Sequence, residues 1–142
     1  MHAELESAKE LMIFEGYTCV ITLDGITFKS KETGVRPLLD WLYSGNKYTG
    51  WRLCDKVVGK AAAFLHIILG VREIYAEVIS EPAKALLEEN NITVNADTIV
   101  PAILNEAKDG PCPLETAVEN ITDVNDSIMA IELTLKRMEK NK

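Results

Sequence analysis

The sequence predicts an α/β fold of three layers, α-β-α, in which a mixed sheet opens with an N-terminal β-hairpin and continues in parallel strands. Three observations predict it. Asp24-Gly25 stands between two β-rich runs, and such a dipeptide closes a two-residue hairpin because both positions accept positive φ. A later helix is apolar on every side, as a helix buried between layers must be. Strand, helix and strand then alternate, which implies parallel strands joined by right-handed crossovers.

The elements follow in order. Residues 3–14 read as a helix, with Leu5, Ala8, Leu11 and Met12 on one stripe. Residues 17–23 and 26–28 are the two arms of the hairpin, and 29–33 a polar turn. Residues 34–43 form a short helix whose Val35, Leu38, Leu39 and Leu42 face inward, and Ser44-Gly45 ends it. Residues 46–54 read as a loop, and Asp55 as the N-cap of a helix over 56–69 that is apolar all round after Lys60 and stops at Gly70. A buried strand covers 72–80, and Pro82 opens a helix running to 90, in the first turn where a missing N–H does no harm. Residues 92–94 are a short strand. The rest, from 100 on, reads as mostly helical, broken at Asp109-Gly110-Pro111-Cys112-Pro113. The last helix starts at Thr122 or Asp123, runs to 140, and carries the stripe Val124, Ile128, Ile131, Leu135 and Met138.

Composition bounds the rest. The 142 residues suit one domain over 1–142, 47% of them apolar and 26% charged. The net charge of −7, with no concentration of Lys and Arg, argues against nucleic acid as a partner. Glu4, Glu6, Lys9 and Glu10 rule out a secretory h-region at the start, and the longest apolar run, 61–70, is too short to span a bilayer. Cys19, Cys54 and Cys112 lack the spacing of a disulfide framework or zinc knuckle. A reducing, cytoplasmic location away from membranes is expected.

Four stretches carry a resemblance: Gly34-Val35-Arg36-Pro37-Leu38-Leu39, Asp55-Lys56-Val57-Val58-Gly59-Lys60-Ala61-Ala62-Ala63, Val78-Ile79-Ser80-Glu81-Pro82-Ala83, and Gly110-Pro111-Cys112-Pro113-Leu114-Glu115. Together they span most of residues 15–120, with the last helix outside. The chain resembles a small prokaryotic family, a domain of unknown function within the cytidine deaminase-like superfamily. That resemblance implies a deaminase-like fold and makes a homodimer the expected assembly. True deaminases place His-x-Glu or Cys-x-Glu at the start of the buried helix and Pro-Cys-x-x-Cys at the next, to hold zinc and shuttle protons. By that alignment the ligand positions here are Val58, Ala83 and Leu86, and Lys60 stands in place of the carboxylate. None of the three can bind a metal, and a hydrolytic zinc needs three protein ligands. No metal and no cofactor is therefore expected.

The candidate site is the stretch from Asp55 to Lys60, read as a helix start at the carboxyl edge of the strands, where open α/β sheets bind ligands. Lys56 and Lys60 lie four apart, which on a helix would place them on one face. Gly59 would let a ligand approach, and a helix N-terminus beside a Lys suits phosphate or carboxylate. Equally, Asp55 is a plain cap, Gly59 packing, and Lys60 a lysine reaching to solvent. Burial of Lys60 would make it basic or nucleophilic at neutral pH. Asp109, Cys112 and Glu115 form a rigid loop that would face Lys60 across the cleft, with Cys54 possible opposite Cys112; the bland alternative is a stiff turn with a half-buried Cys. A Cys nucleophile needs a base, and His66, mid-helix among Leu65 and Ile67, is better explained as a satisfied core histidine. Trp51 and Arg52 could stack on and pair with a nucleobase, or simply close the core edge.

Two functions compete on this evidence. One is a domain binding a small anionic or nucleotide-like ligand at the start of the buried helix, with Lys60, Cys112 and Asp109 as candidate catalytic groups. Trp51, Arg52, Cys54, Asp55, Lys56, Gly59 and Glu115 would then line it. The other is a non-catalytic interaction or oligomerisation module, with the first and last helices as its faces. A deaminase with an unconventional site is a distant third.

Overall fold

The computed structural model describes residues 1–141. Its elements are α1 (Ala3–Glu15), β1 (Cys19–Leu23), β2 (Ile26–Ser30), α2 (Arg36–Tyr43), β3 (Arg52–Val58), α3 (Lys60–Leu69), β4 (Glu73–Ser80), α4 (Glu81–Glu89), β5 (Thr93–Val100), α5 (Pro113–Val118) and α6 (Val124–Lys140). The sheet order is β2-β1-β3-β4-β5. β1 runs antiparallel to β2 and to β3, while β3, β4 and β5 are parallel. Asp24 and Gly25, at φ 49° and 83°, make the turn between β1 and β2.

α1 lies alone on one face. Its Leu5, Ala8 and Met12 pack with Val20, Cys54 and Tyr75 in a small core. The larger core lies on the other face, where α3 is wrapped by α2, α4, α5 and α6. Ala63, Phe64, Leu65 and His66 are completely buried there, which is why that helix tolerates no polar face.

Three expectations fail. Residues 52–58 form the central strand β3, not a loop followed by a helix. Their backbone satisfies β1 on one side and β4 on the other, and that non-local pairing outweighs the weak strand propensity of Cys, Asp and Lys. Asp55 is consequently not a helix cap. Gly59 is the N-cap of α3 and Lys60 its first residue, so Lys56 and Lys60 share no helix face. β5 runs eight residues, to Val100, beyond the short strand expected. Residues 101–108 are irregular rather than helical, and the segment is tied by a bridge between Leu104 and Pro111 and by backbone hydrogen bonds from Asn105 to Gly110 and from Cys112 to Ile103. Pro101 and Pro111 remove backbone donors there, and Lys108 takes φ 58°.

Among the described residues, no helix is long and apolar enough to cross a membrane.

Candidate functional site

The parallel strands β3, β4 and β5 end together, and α3 and α4 start from the first two of those ends. A cleft of about 330 Å³ opens at this edge. Lys60, Ser80 and Pro82 line it from the helix starts. Pro101, Ala102, Ile103 and Pro111 form the opposite wall, and Glu115, Thr116 and Glu119 close it from α5 and its end. A broader hollow of about 480 Å³ lies between α1 and the hairpin. Its one charged side chain, Glu4, is already engaged with the Asp24 N–H at 3.0 Å, and the cleft at the strand ends carries the larger set of polar and charged groups.

Glu115 dominates that cleft. Pro113 starts α5 and puts Glu115 in its first turn, aimed at the start of α3. The Lys60 N–H donates to Oε1 at 2.6 Å and the Ala61 N–H to Oε2 at 3.0 Å. The carboxylate thus caps α3 from another element, satisfying orphan donors and the positive end of the dipole. Gly59 makes this possible, since a β-carbon there would lie 2.5 Å from Glu115 Cδ and 2.7 Å from its Oε2. The anion position expected at this helix start is therefore filled by the protein's own carboxylate. Lys60 stands beside it, half-buried, with Nζ donating to the Glu119 carbonyl at 2.9 Å and lying 5.6 Å above the Phe64 ring. The ammonium is held at the cleft rim, not enclosed in the apolar run.

The other expected residues are scattered. Cys112 is half-buried at the N-cap of α5; its N–H donates to the Ile103 carbonyl at 3.1 Å, which braces the cleft wall. Asp109 is exposed and closes its own loop, accepting from Asn105 Nδ2 at 2.9 Å; it does not face Lys60. Arg52, at the start of β3, pairs with Glu73 at 3.0 Å. Trp51 stacks on Phe28 at 5.8 Å and meets Tyr48 edge-on at 5.1 Å. Both sit at the opposite end of β3 from the cleft, about 20 Å away at strand rise, so they cannot touch the same small ligand. Lys56 is a half-buried strand residue. Cys54 faces α1, its thiol 3.6 Å from the Leu5 carbonyl, whereas Cys112 packs against the core of the other face. The two thiols do not meet. Burial, with Asp55 next, raises the Cys54 thiol well above its ordinary range.

Asp55 faces α3 in a buried pair that the sequence reading did not connect. His66 Nε2 lies 3.3 Å from Asp55 Oδ2, with side-chain exposures of 0% and 7%. Burial raises the Asp55 carboxyl; the facing His66 ring and the Lys56 N–H, 3.0 Å from Oδ1, draw it part of the way back. Cys19 stands beside Asp55 across the β1–β3 ladder, and burial, then Asp55, raise its thiol. His66 Nδ1 has no hydrogen-bond partner among the described residues. A lone His in an apolar helix and an Asp eleven residues earlier were the available signal; reading Asp55 as a cap concealed it.

Sequence reasoning also missed Ser80, Pro101, Ile103, Thr116 and Glu119. The Ser80-Glu81-Pro82 junction was the usable clue, because a strand end followed by a helix start marks the ligand edge of such sheets. Pro101, Ala102 and Ile103 of the far wall were hidden by reading the stretch between 100 and the break at Asp109 as helix.

A search of the curated proteins finds no match. Among solved structures, the chain is similar to TM1506, a DUF1893 family protein from Thermotoga maritima, with 27% identity and a TM-score of 0.83 over 96% of this chain and 92% of that one. The family model described as TM1506, domain of unknown function (DUF1893), matches residues 7–135. Since that match takes in all five strands and every helix at least in part, the chain belongs to the DUF1893 family.

Proposed function

We propose that this protein is a cytidine deaminase-like domain without zinc that binds a small nucleotide-like ligand in the cleft between the starts of α3 and α4. The observation that carries the reading is the make-up of that cleft. Pro82, Pro101, Ile103 and Pro111 offer apolar walls to a flat ring. Ser80, Thr116 and the carboxylates of Glu115 and Glu119 offer acceptors for its N–H groups, and Lys60 offers a charge for a phosphate. The deaminase-like reading is supported by the order β2-β1-β3-β4-β5 with β1 antiparallel. Zinc does not fit. Val58 ends β3, and Ala83 and Leu86 lie in α4; at the positions where deaminases hold their metal, none of these carries a donor atom. No reaction is assigned. Lys60 is engaged with the Glu119 carbonyl, Asp109 lies in its own loop, and Cys112 has no basic partner among the described residues, so binding rather than catalysis is the function proposed.

An anionic group can reach the α3 amides only by displacing Glu115, so the phosphate is assigned to Lys60 instead. The test is a thermal-shift and calorimetric titration with the four common nucleoside monophosphates and their nucleosides. At least one nucleotide should raise the melting temperature. Lys60→Ala should weaken that nucleotide about ten- to a hundredfold, the loss of one charge-assisted contact of roughly 1.5–3 kcal/mol, while leaving the nucleoside nearly unaffected. Stabilisation by none of the eight compounds would remove the reading.

A further inference from the structure

The two edges of the sheet are treated differently. β2 is five residues long and carries Lys29, and Phe28 on it stacks with Trp51. β5 is eight residues long, Thr-Val-Asn-Ala-Asp-Thr-Ile-Val, with no Lys, Arg or Pro before Pro101. Among the described residues, its backbone hydrogen bonds go to β4, apart from the Thr93 N–H, which donates to the Arg72 carbonyl at 3.1 Å. A long edge strand without such protection is a template for another strand.

We propose that β5 is the dimer interface of this protein, pairing antiparallel with β5 of a second copy across a two-fold axis to give a continuous ten-stranded sheet. This goes beyond the ligand reading and does not depend on it. A two-fold perpendicular to the sheet keeps each face on its own side, so only residues of the same face can stand opposite each other. Val94 and Ala96 pack towards the α3 core. Asn95 and Asp97 point to the other face, Asn95 donating to Glu73 at 3.0 Å and Asp97 accepting from the Tyr75 hydroxyl at 2.5 Å.

Two registers that respect this rule pair seven residues of β5. One sets Asp97 opposite Asp97, and like charges directly opposite are destabilising. The other sets Ala96 opposite Ala96 on the axis, Asn95 opposite Asp97, Val94 opposite Thr98, and Thr93 opposite the exposed Ile99. In it an amide faces each carboxylate and a small side chain occupies the crowded centre. This register is the one we assign. α4 packs on β4 and β5, so the α4 helices of the two copies come about 10 Å apart, two strand spacings, which is helix-packing distance. The first and last helices make a poorer face: exposed Ile13 and Phe14 on α1 and Met129 and Leu133 on α6 lie on opposite sides of the sheet.

The test uses the full chain and light scattering over a concentration series. The native protein should show twice the mass of the chain, and Thr98→Lys, at an exposed edge position, should halve it while leaving the circular dichroism unchanged. Independently, Ala96→Cys combined with Cys112→Ser should give a covalent dimer with a short bifunctional maleimide, because directly opposite β-carbons on paired strands are ~4.5–5.5 Å apart. A native protein that is monomeric throughout, a folded Thr98→Lys variant that stays dimeric, or an Ala96→Cys variant that does not crosslink would overturn the proposal.

Discussion

Gly59 and Glu115 act together at the residue scale. A β-carbon at 59 would stand 2.5 Å from Glu115 Cδ, and the carboxylate can yield only by surrendering the Lys60 and Ala61 N–H groups. Gly59→Ala and Glu115→Ala should each lose about 2 kcal/mol in urea unfolding, the scale of hydrogen bonds to a charged group. The double variant should lose little more than Glu115→Ala alone, since the clash vanishes with the carboxylate; full additivity would show that the two are unconnected. Asp55 supplies a pH test. Its carboxyl is raised above the ordinary 3.8 by burial, so the folded state holds a proton that the unfolded chain has released. That stability is fully present below the unfolded value and is lost as pH rises through the folded one. Melts of wild type and Asp55→Asn from pH 3.8 towards neutral should show wild type losing ground to the variant as pH rises. A difference that stays flat across that range would mean Asp55 titrates as it does when unfolded.

At the scale of elements, the β1–β2 turn is held by two residues of positive φ, Asp24 at 49° and Gly25 at 83°. Gly25→Val forces a β-branched side chain into that conformation and should cost about 1–2 kcal/mol, read as a lower urea midpoint with an unchanged slope. β3 shows why some elements resist local reading. Arg52-Leu53-Cys54-Asp55-Lys56 has neither strict alternation nor a run of β-branched residues, and it becomes a strand because β1 and β4 flank it. Once it is a strand, α3 begins at Gly59-Lys60, and Glu115 gains a helix start to cap. The expected site at Asp55 to Lys60 thus divides into a buried strand residue and a true helix start.

At the scale of the whole molecule, the sheet separates what lies close in the chain. Trp51 and Arg52 are eight or nine residues from Lys60 in sequence, yet the length of β3 lies between them. Glu115, 55 residues from Lys60, is in direct contact with it. The cleft opens beside Pro101, immediately after β5, so the edge proposed to pair two copies and the site proposed to bind a ligand share one strand end. Occupancy of the cleft and dimer mass can be measured on the same sample, and each proposal stands or falls on its own readout.

Features set by near neighbours were legible from the chain alone. The α1 stripe, the apolar character of α3, the Pro82 helix start and the α6 stripe depend on spacing and on residue chemistry within a few turns. The expectation that Glu115 faces Lys60 has a physical counterpart in one contact: the carboxylate fills the α3 helix start instead of facing a ligand there. The central strand, the length of β5, the course of residues 101–112 and the Asp55–His66 pair came only with the tertiary structure. Each depends on a backbone or side-chain partner many residues away, and no local propensity encodes where that partner will stand.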